Sequence, residues 1–176
     1  MYKKLYLFIE GPHEREFFAR LGERIFKDKF DDIQLVPYSQ ESKVWIKNLL
    51  KDIKRMNADY IWLSDLNDAP CISKRKEKLR EKFTDLDESK IIIVRKEIES
   101  WYLALLDDDS CRKFKINPNK FKDTDDVKKE QFDVLIPEKF DKISFMIEIL
   151  DCASIETAKQ RNMSFRYFID KYCLMT

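Results

Sequence analysis

Only two of the 176 residues are glycine and only one, His13, is histidine. With so few glycines the chain holds no Gly-x-x-x-x-Gly-Lys-Ser/Thr loop, which excludes a P-loop nucleotide site. The four cysteines (Cys71, Cys111, Cys152, Cys173) lie far apart without a Cys-x-x-Cys pair. That spacing, with a single histidine, argues against a zinc centre and against a disulfide framework. The net charge is +1, so no global field draws the protein to nucleic acid or membrane, and any such partner must be read by a local patch. No apolar run reaches membrane-spanning length, and the N-terminus lacks a basic region followed by an apolar stretch and a small-residue cleavage site. A soluble, cytoplasmic protein without a membrane partner is expected. Repeats and low-complexity tracts are absent as well.

What is present is a globular mixture, 38% charged and 44% hydrophobic, in a chain long enough to bury a core. Short apolar runs rich in β-branched or aromatic residues predict strands at Lys4–Ile9, Ile33–Tyr38, Tyr60–Ser64 and Lys90–Arg95. Helical periodicity falls between them. Glu14–Lys27 sets Phe17, Phe18, Leu21 and Ile25 on one face, and Ser42–Met56 does so with Val44, Trp45, Leu49, Ile53 and Met56. Ser73–Phe83 is weakly apolar and basic. Alternation at this spacing predicts βαβ units, hence an α/β fold with a mainly parallel four-stranded sheet flanked by helices. Past Arg95 only helices are expected, at Glu97–Leu106, Lys139–Leu150, Ile155–Gln160 and Ser164–Tyr172, with a polar connection over Asp107–Asp126. The chain then reads as one domain, an α/β core over residues 1–106 and a helical appendage over residues 107–176.

In parallel sheets, chemistry gathers beyond the carboxyl ends of the strands, and acidic residues stand at those points. Glu10 closes the first strand, Gly11 and Pro12 turn the chain, and Glu14 follows one helical turn on. Two carboxylates this close repel unless a cation lies between them, and hard divalent ions are bound this way. The alternative is a solvated strand end with Glu14 complementing the helix dipole. The third strand runs into Asp65, Asn67 and Asp68, which are oxygen ligands or ordinary turn residues. After the fourth strand come Arg95, Lys96, Glu97 and Glu99. Two residues apart on a helix, the two glutamates diverge by roughly 200°, so only one points inward. Lys74–Lys82 holds six basic and two acidic residues. It is either a phosphate-tracking face, with Lys74, Arg75, Lys76 and Lys78 as candidate contacts, or a solvated helix. Trp45, Trp62 and Trp101 read as core, His13 as a solvent-facing residue at the helix start, and "SFRYFIDKY" as a packing helix.

Three segments together resemble the TOPRIM domains of OLD-like nucleases: "FIEGPHEREFF" with its Glu-Gly-x-x-Glu pattern, "IWLSDLNDAPC" with an apolar strand entering an aspartate loop, and "VRKEIESWYLA" with Ile-Glu-x-Trp. The resemblance spans about residues 4–105. It implies a Rossmann-like TOPRIM core that binds Mg²⁺ or Mn²⁺ and cuts phosphodiesters of nucleic acid, DNA or RNA. By position it implies Glu10, Glu14 and Asp65 as catalytic ligands. Asn67, Asp68 and Glu99 are implied as further metal ligands. Arg95 or Lys96, near the same edge, would steady transition-state charge or else form a structural salt bridge. Two ions about 4 Å apart would clamp the phosphate. Glu99 is favoured over Glu97 because it directly precedes the Ser-Trp step. Asn67 departs from the family's Asp-x-Asp, which weakens charge neutralisation and keeps a non-catalytic module that binds nucleic acid or a partner protein as the alternative. An OLD-type ATPase would have to be a separate chain. A phosphotransfer enzyme on another doubly wound fold is disfavoured, since its nucleophilic aspartate would stand where Glu10 does.

Overall fold

A computed structural model describes residues 2–27 and 29–172, so Cys173 lies outside the described residues. Four strands, β1 (Lys4–Ile9), β2 (Asp32–Pro37), β3 (Asp59–Asp65) and β4 (Ile91–Val94), form one sheet in the order β2-β1-β3-β4. Every pairing is parallel, with Leu7 opposite both Leu35 and Ile61, and Asp65 opposite Val94. The expected fold class is therefore the observed one. Between the strands run α1 (Pro12–Phe26), α2 (Lys43–Arg55) and α3 (Ile72–Lys82). Contacts divide the chain into two compact units, Met1–Val94 and Arg95–Thr176.

In the first unit both sheet faces are buried, which is why the strands read as continuous apolar runs rather than alternating ones. One face carries Tyr6, Phe8, Trp62, Ile91 and Ile93 against Ile46, Leu50 and Ile53 of α2 and Leu79 of α3. Trp62 stacks on Phe8, with ring centroids 4.9 Å apart, and contacts Tyr38 and Phe83 at 4.3 and 4.8 Å. Its buried Nε1 has no hydrogen-bond partner among the described residues. Such an N–H costs about 1–3 kcal/mol. A tryptophan burying roughly 200 Å² gains about 5 kcal/mol, so burial wins. The opposite face carries Leu5, Leu7, Ile9, Ile61, Leu63, Ile92 and Val94, all buried. Helix α1 buries the expected stripe of Phe17, Phe18, Leu21 and Ile25, and a Cβ at Gly22 would meet Ile33 of β2 at an ordinary 3.7 Å.

Helix α2 corrects its expected face. The buried stripe is Ile46, Leu50 and Ile53, at i, i+4 and i+7, while Val44 and Met56 are exposed and Trp45 is 43% exposed. Ser42 caps the helix by accepting from Trp45 N at 3.1 Å. The cap sets the helix start, and the sheet then selects the narrower Ile/Leu stripe over the one containing tryptophan.

The second unit contains α4 (Glu99–Ala104), α5 (Asp108–Lys113), α6 (Lys129–Asp133), α7 (Lys142–Asp151), α8 (Ile155–Arg161) and α9 (Met163–Tyr172). Helix α4, counted by sequence with the α/β core, belongs here by contacts. The stretch expected as a polar connection holds α5, capped by Asp107 accepting from Ser110 N at 2.8 Å. Cys111, Phe114 and Ile116 are its buried anchors. Trp101 and Phe168 stack with centroids 5.3 Å apart, and Phe165 meets Trp101 edge-on at 5.1 Å. The "SFRYFIDKY" segment is the packing helix its sequence predicts, with Phe165, Phe168, Ile169 and Tyr172 buried.

Candidate functional site

Because all four strands are parallel, the residues leaving β1, β2 and β3 emerge at one edge. Extending the β1–β3 register past Phe8↔Trp62 sets Glu10 beside Ser64, one residue before Asp65. Gly11 is the N-cap of α1, at φ −148° and ψ −168°, extended backbone that any residue adopts. The chain bends at Glu10 and Gly11 as expected, without a conformation reserved for glycine, and a Cβ at Gly11 would stand 3.4 Å from Glu14 Oε2. Glu14, only 6% exposed, accepts from Gly11 N at 3.0 Å, as the third residue of a capped helix does. Burial, and then the negative charge of Glu10, push its carboxyl above the ordinary carboxylate range.

Glu10 is half-buried. Its Oε2 accepts from the Tyr38 hydroxyl at 3.1 Å, and its carbonyl accepts from Ser39 Oγ. Burial and then the Glu10 charge drive the Tyr38 hydroxyl far above its usual pKa, which keeps it a proton donor to Glu10. On β3, Asp65 is half-buried with its Oδ1 shielded from solvent.

Past Asp65 the backbone at Asn67 enters the left-handed region, φ 49°, which asparagine tolerates better than most residues. Its Nδ2 donates to the Asp65 carbonyl at 3.4 Å. The turn supplies a physical reason for asparagine here. Asn67 and Asp68 are both exposed.

The basic helix divides its candidates. Lys74 pairs with Glu77 at 2.6 Å, Lys76 Nζ donates to the Glu88 carbonyl at 3.4 Å, and Lys78 is exposed. Arg75 turns inward instead. Its Nε and Nη2 donate to Ser64 Oγ at 3.2 and 2.8 Å, and Nε also donates to the Asp65 carbonyl at 2.9 Å. Sequence reading missed this role, because nothing in a run of lysines and arginines marks which cation folds back.

The remaining candidates lie in the second unit. Glu99 is 3% exposed and pairs with Lys142 at 2.8 Å. Trp101 beside it is buried, as expected. Glu97 instead accepts from Lys129 N at the start of α6. Arg95 stands 3.6 Å from Asp125 and 3.5 Å from Asp126. Back in the first unit, His13, expected to face solvent, is half-buried in the first turn of α1.

In the first unit the fold thus brings Glu10, Glu14, Asp65 and Arg75 to one edge and leaves Asn67 and Asp68 on its exposed rim. The donor chemistry, carboxylate and carbonyl oxygen, is that of a hard divalent ion. The grouping as it stands is not, since no three His, Cys, Asp or Glu side chains among the described residues are placed to hold an ion. A groove of about 410 Å³ bordered by Phe18, Phe26, Phe30 and Ile33 opens beside β2, and none of these carboxylates lines it. No helix among the described residues is long and apolar enough to cross a membrane. No protein-family model, curated protein or solved structure matches this chain.

Proposed function

We propose that this chain is a metal-dependent TOPRIM-type nuclease that cleaves phosphodiesters of nucleic acid in the cytoplasm, alone or with a separate-chain ATPase. The observation that carries the reading is the exit of Glu10 and Asp65 from neighbouring parallel strands at one edge, with the buried Glu14 carboxyl feeling the charge of Glu10. Like charges gathered at the carboxyl end of a parallel sheet are unfavourable without a cation, and Mg²⁺ or Mn²⁺ bound there would activate water and polarise a phosphate. As they stand, the described side chains are not grouped for an ion. The chain's own contribution is positioning. Tyr38 and Ser39 hold Glu10 by its carboxylate and its carbonyl, and Lys74 and Lys78 on the exposed side of α3 offer charge to a phosphate backbone.

The test is cleavage of end-labelled single- and double-stranded DNA and RNA with Mn²⁺ or Mg²⁺. Cutting is expected, with EDTA stopping it and Glu10→Ala abolishing it. The second reading, a non-catalytic TOPRIM-fold module that binds nucleic acid, is favoured by Asn67 and by the cationic Arg75 at the edge. Salt-sensitive retention of nucleic acid without cleavage under any divalent ion would select it. Neither cleavage nor retention would reject both.

A further inference from the structure

The excess positive charge of this chain lies on two helices that cover the same face of the sheet. Helix α2 holds Lys43, Lys47, Lys51, Lys54 and Arg55 against Asp52 alone, and α3 holds six cations against Glu77 and Glu81. Together they carry a local +8 in a chain whose net charge is +1, so all other residues sum to −7. Helix α1, against Ile33 on the other sheet face, is balanced, with three arginines and three glutamates. Several of the α2 and α3 cations are committed within the protein. Arg55, Lys74 and Arg80 pair with carboxylates, Arg75 is turned to Ser64, and Lys76 reaches the Glu88 carbonyl. Lys43, Lys47, Lys51, Lys54, Lys78 and Lys82 are exposed and pair with no carboxylate among the described residues. Lys43, Lys47 and Lys51 recur every fourth residue, a stripe about 12 Å long on one side of α2. Such like charges repel along a helix, so the stripe is unfavourable until an anion lies on it. Lys43 and Lys47 also meet Lys82 of α3 across a cleft of about 80 Å³. That is too small for an organic ligand and suits a single phosphate.

We infer that the outer face of α2 and α3, with the α2 lysines foremost, is the surface along which double-stranded nucleic acid lies, held by its phosphates and not by its bases. The inference rests on the nucleic-acid reading above and is independent of any metal. It adds α2, which no local motif marks, to the basic stretch of α3. Charge complementarity carries it: a polyanion answers six unpaired lysines on one face of a chain that is otherwise acidic. A duplex fits better than a single strand, because single strands are held by stacking successive bases on aromatic rings. Helix α3 has no aromatic residue and α2 has only Trp45. A membrane surface fits less well. A helix lying in lipid inserts its apolar side, and α2 has spent Ile46, Leu50 and Ile53 on the sheet. Its exposed apolar residues, Val44, Trp45 and Met56, stand only at its two ends.

The experiment titrates a short fluorescein-labelled DNA duplex, and its single strand, with the full chain in EDTA and reads anisotropy over a series of KCl concentrations. Wild type is compared with Lys43→Gln/Lys47→Gln/Lys51→Gln/Lys54→Gln. The control is Lys120→Gln/Lys122→Gln/Lys128→Gln/Lys129→Gln, which removes as many exposed charges from the second unit. Each phosphate contact contributes about −0.9 to the slope of log affinity on log salt, so six lysines set a wild-type limit of about −5. The α2 variant should flatten that slope by about 3 to 4 and bind the duplex at least about a hundredfold more weakly at physiological salt. The control should keep the wild-type slope. Unchanged duplex binding by the α2 variant, or an equal loss in the control, overturns the face while the nucleic-acid reading stands. Tighter binding of the single strand than of the duplex overturns the duplex assignment. Failure to bind any nucleic acid, single- or double-stranded DNA or RNA, overturns the inference and its nucleic-acid premise together, and capture on phosphatidylserine vesicles in that case would assign the face to a membrane. Glutamine sustains exposed helix well. Should the fourfold variant nevertheless fail to fold by circular dichroism, Lys47→Gln/Lys51→Gln decides, with a slope change of about 2 expected and no change rejecting the inference.

Discussion

At the carboxyl edge of the sheet Arg75 stands 3.9 Å from Glu10, whose side chain is still 39% exposed. In the helical unit Lys142 stands 2.8 Å from Glu99, which is almost sealed, and 2.8 Å from Asp133 as well. Each pair joins a basic group to a carboxylate expected as a metal ligand, and they differ in what separation would leave behind. The two cations are similarly covered, so the carboxylates make the difference: opening the first leaves a glutamate already 39% exposed, and pairs with a solvent-exposed member contribute little. Opening the second strands a buried carboxylate, which costs far more. A loose pair adds little to the fold, and a sealed pair is part of it. The polar groups around them follow the same division. In the helical unit Asn162 donates to Thr124 Oγ1 at 3.0 Å and accepts from Ser164 Oγ at 2.7 Å and Phe165 N at 2.9 Å. Ser164 Oγ in turn accepts from Trp101 Nε1 at 2.8 Å. That network closes on itself and presents nothing outward.

The contrast predicts its largest effect for Lys142→Met. Removing the cation from the sealed pair should destabilise the protein by about 3 kcal/mol in denaturant unfolding. A loss no greater than that of Arg75→Gln measured in EDTA would break the comparison. Asn162→Ala comes next, at about 2 kcal/mol by the same measurement, because it strips partners from several buried groups at once. A near-zero effect would mean that the network is far wetter than its burial indicates.

The smallest effect is expected at the sheet edge, from Glu14→Gln. The folded pKa of Glu14 lies above its ordinary value of 4.5, through burial and then Glu10. Below that ordinary value both states hold the proton and the group contributes nothing to the pH dependence. As pH rises from there through the folded value, the native state keeps a proton that the unfolded chain releases, so stability falls. Above the folded value the penalty is complete and constant. Glutamine keeps an oxygen for Gly11 N and has no proton to lose. The variant should therefore gain stability relative to wild type across that window in metal-free buffer and hold the gain to neutral pH. A constant difference at all pH values would show that Glu14 is not strained by its surroundings.

The apolar runs of β1, β3 and β4 and the α1 stripe were legible because each depends on local periodicity. Helices α5 and α6 were not. Each is a short capped segment; α6 is anchored by Phe132 and α5 by a few residues around Phe114, too few to mark a period. The face of α2 was misread because Val44, Trp45 and Met56 are as apolar as the residues that the sheet in fact buries.

By itself, then, the sequence determined the parallel α/β class and the carboxylates at the strand ends, since strand periodicity and chain order are properties of neighbours along the chain. Only the tertiary structure decided that Arg75 leaves the basic face of α3 for Ser64 and Glu10, and that Lys142 seals Glu99. The physical reason is that Coulomb attraction and desolvation act through space, between residues separated by dozens of positions in the chain, and no local pattern records which cation each carboxylate will meet.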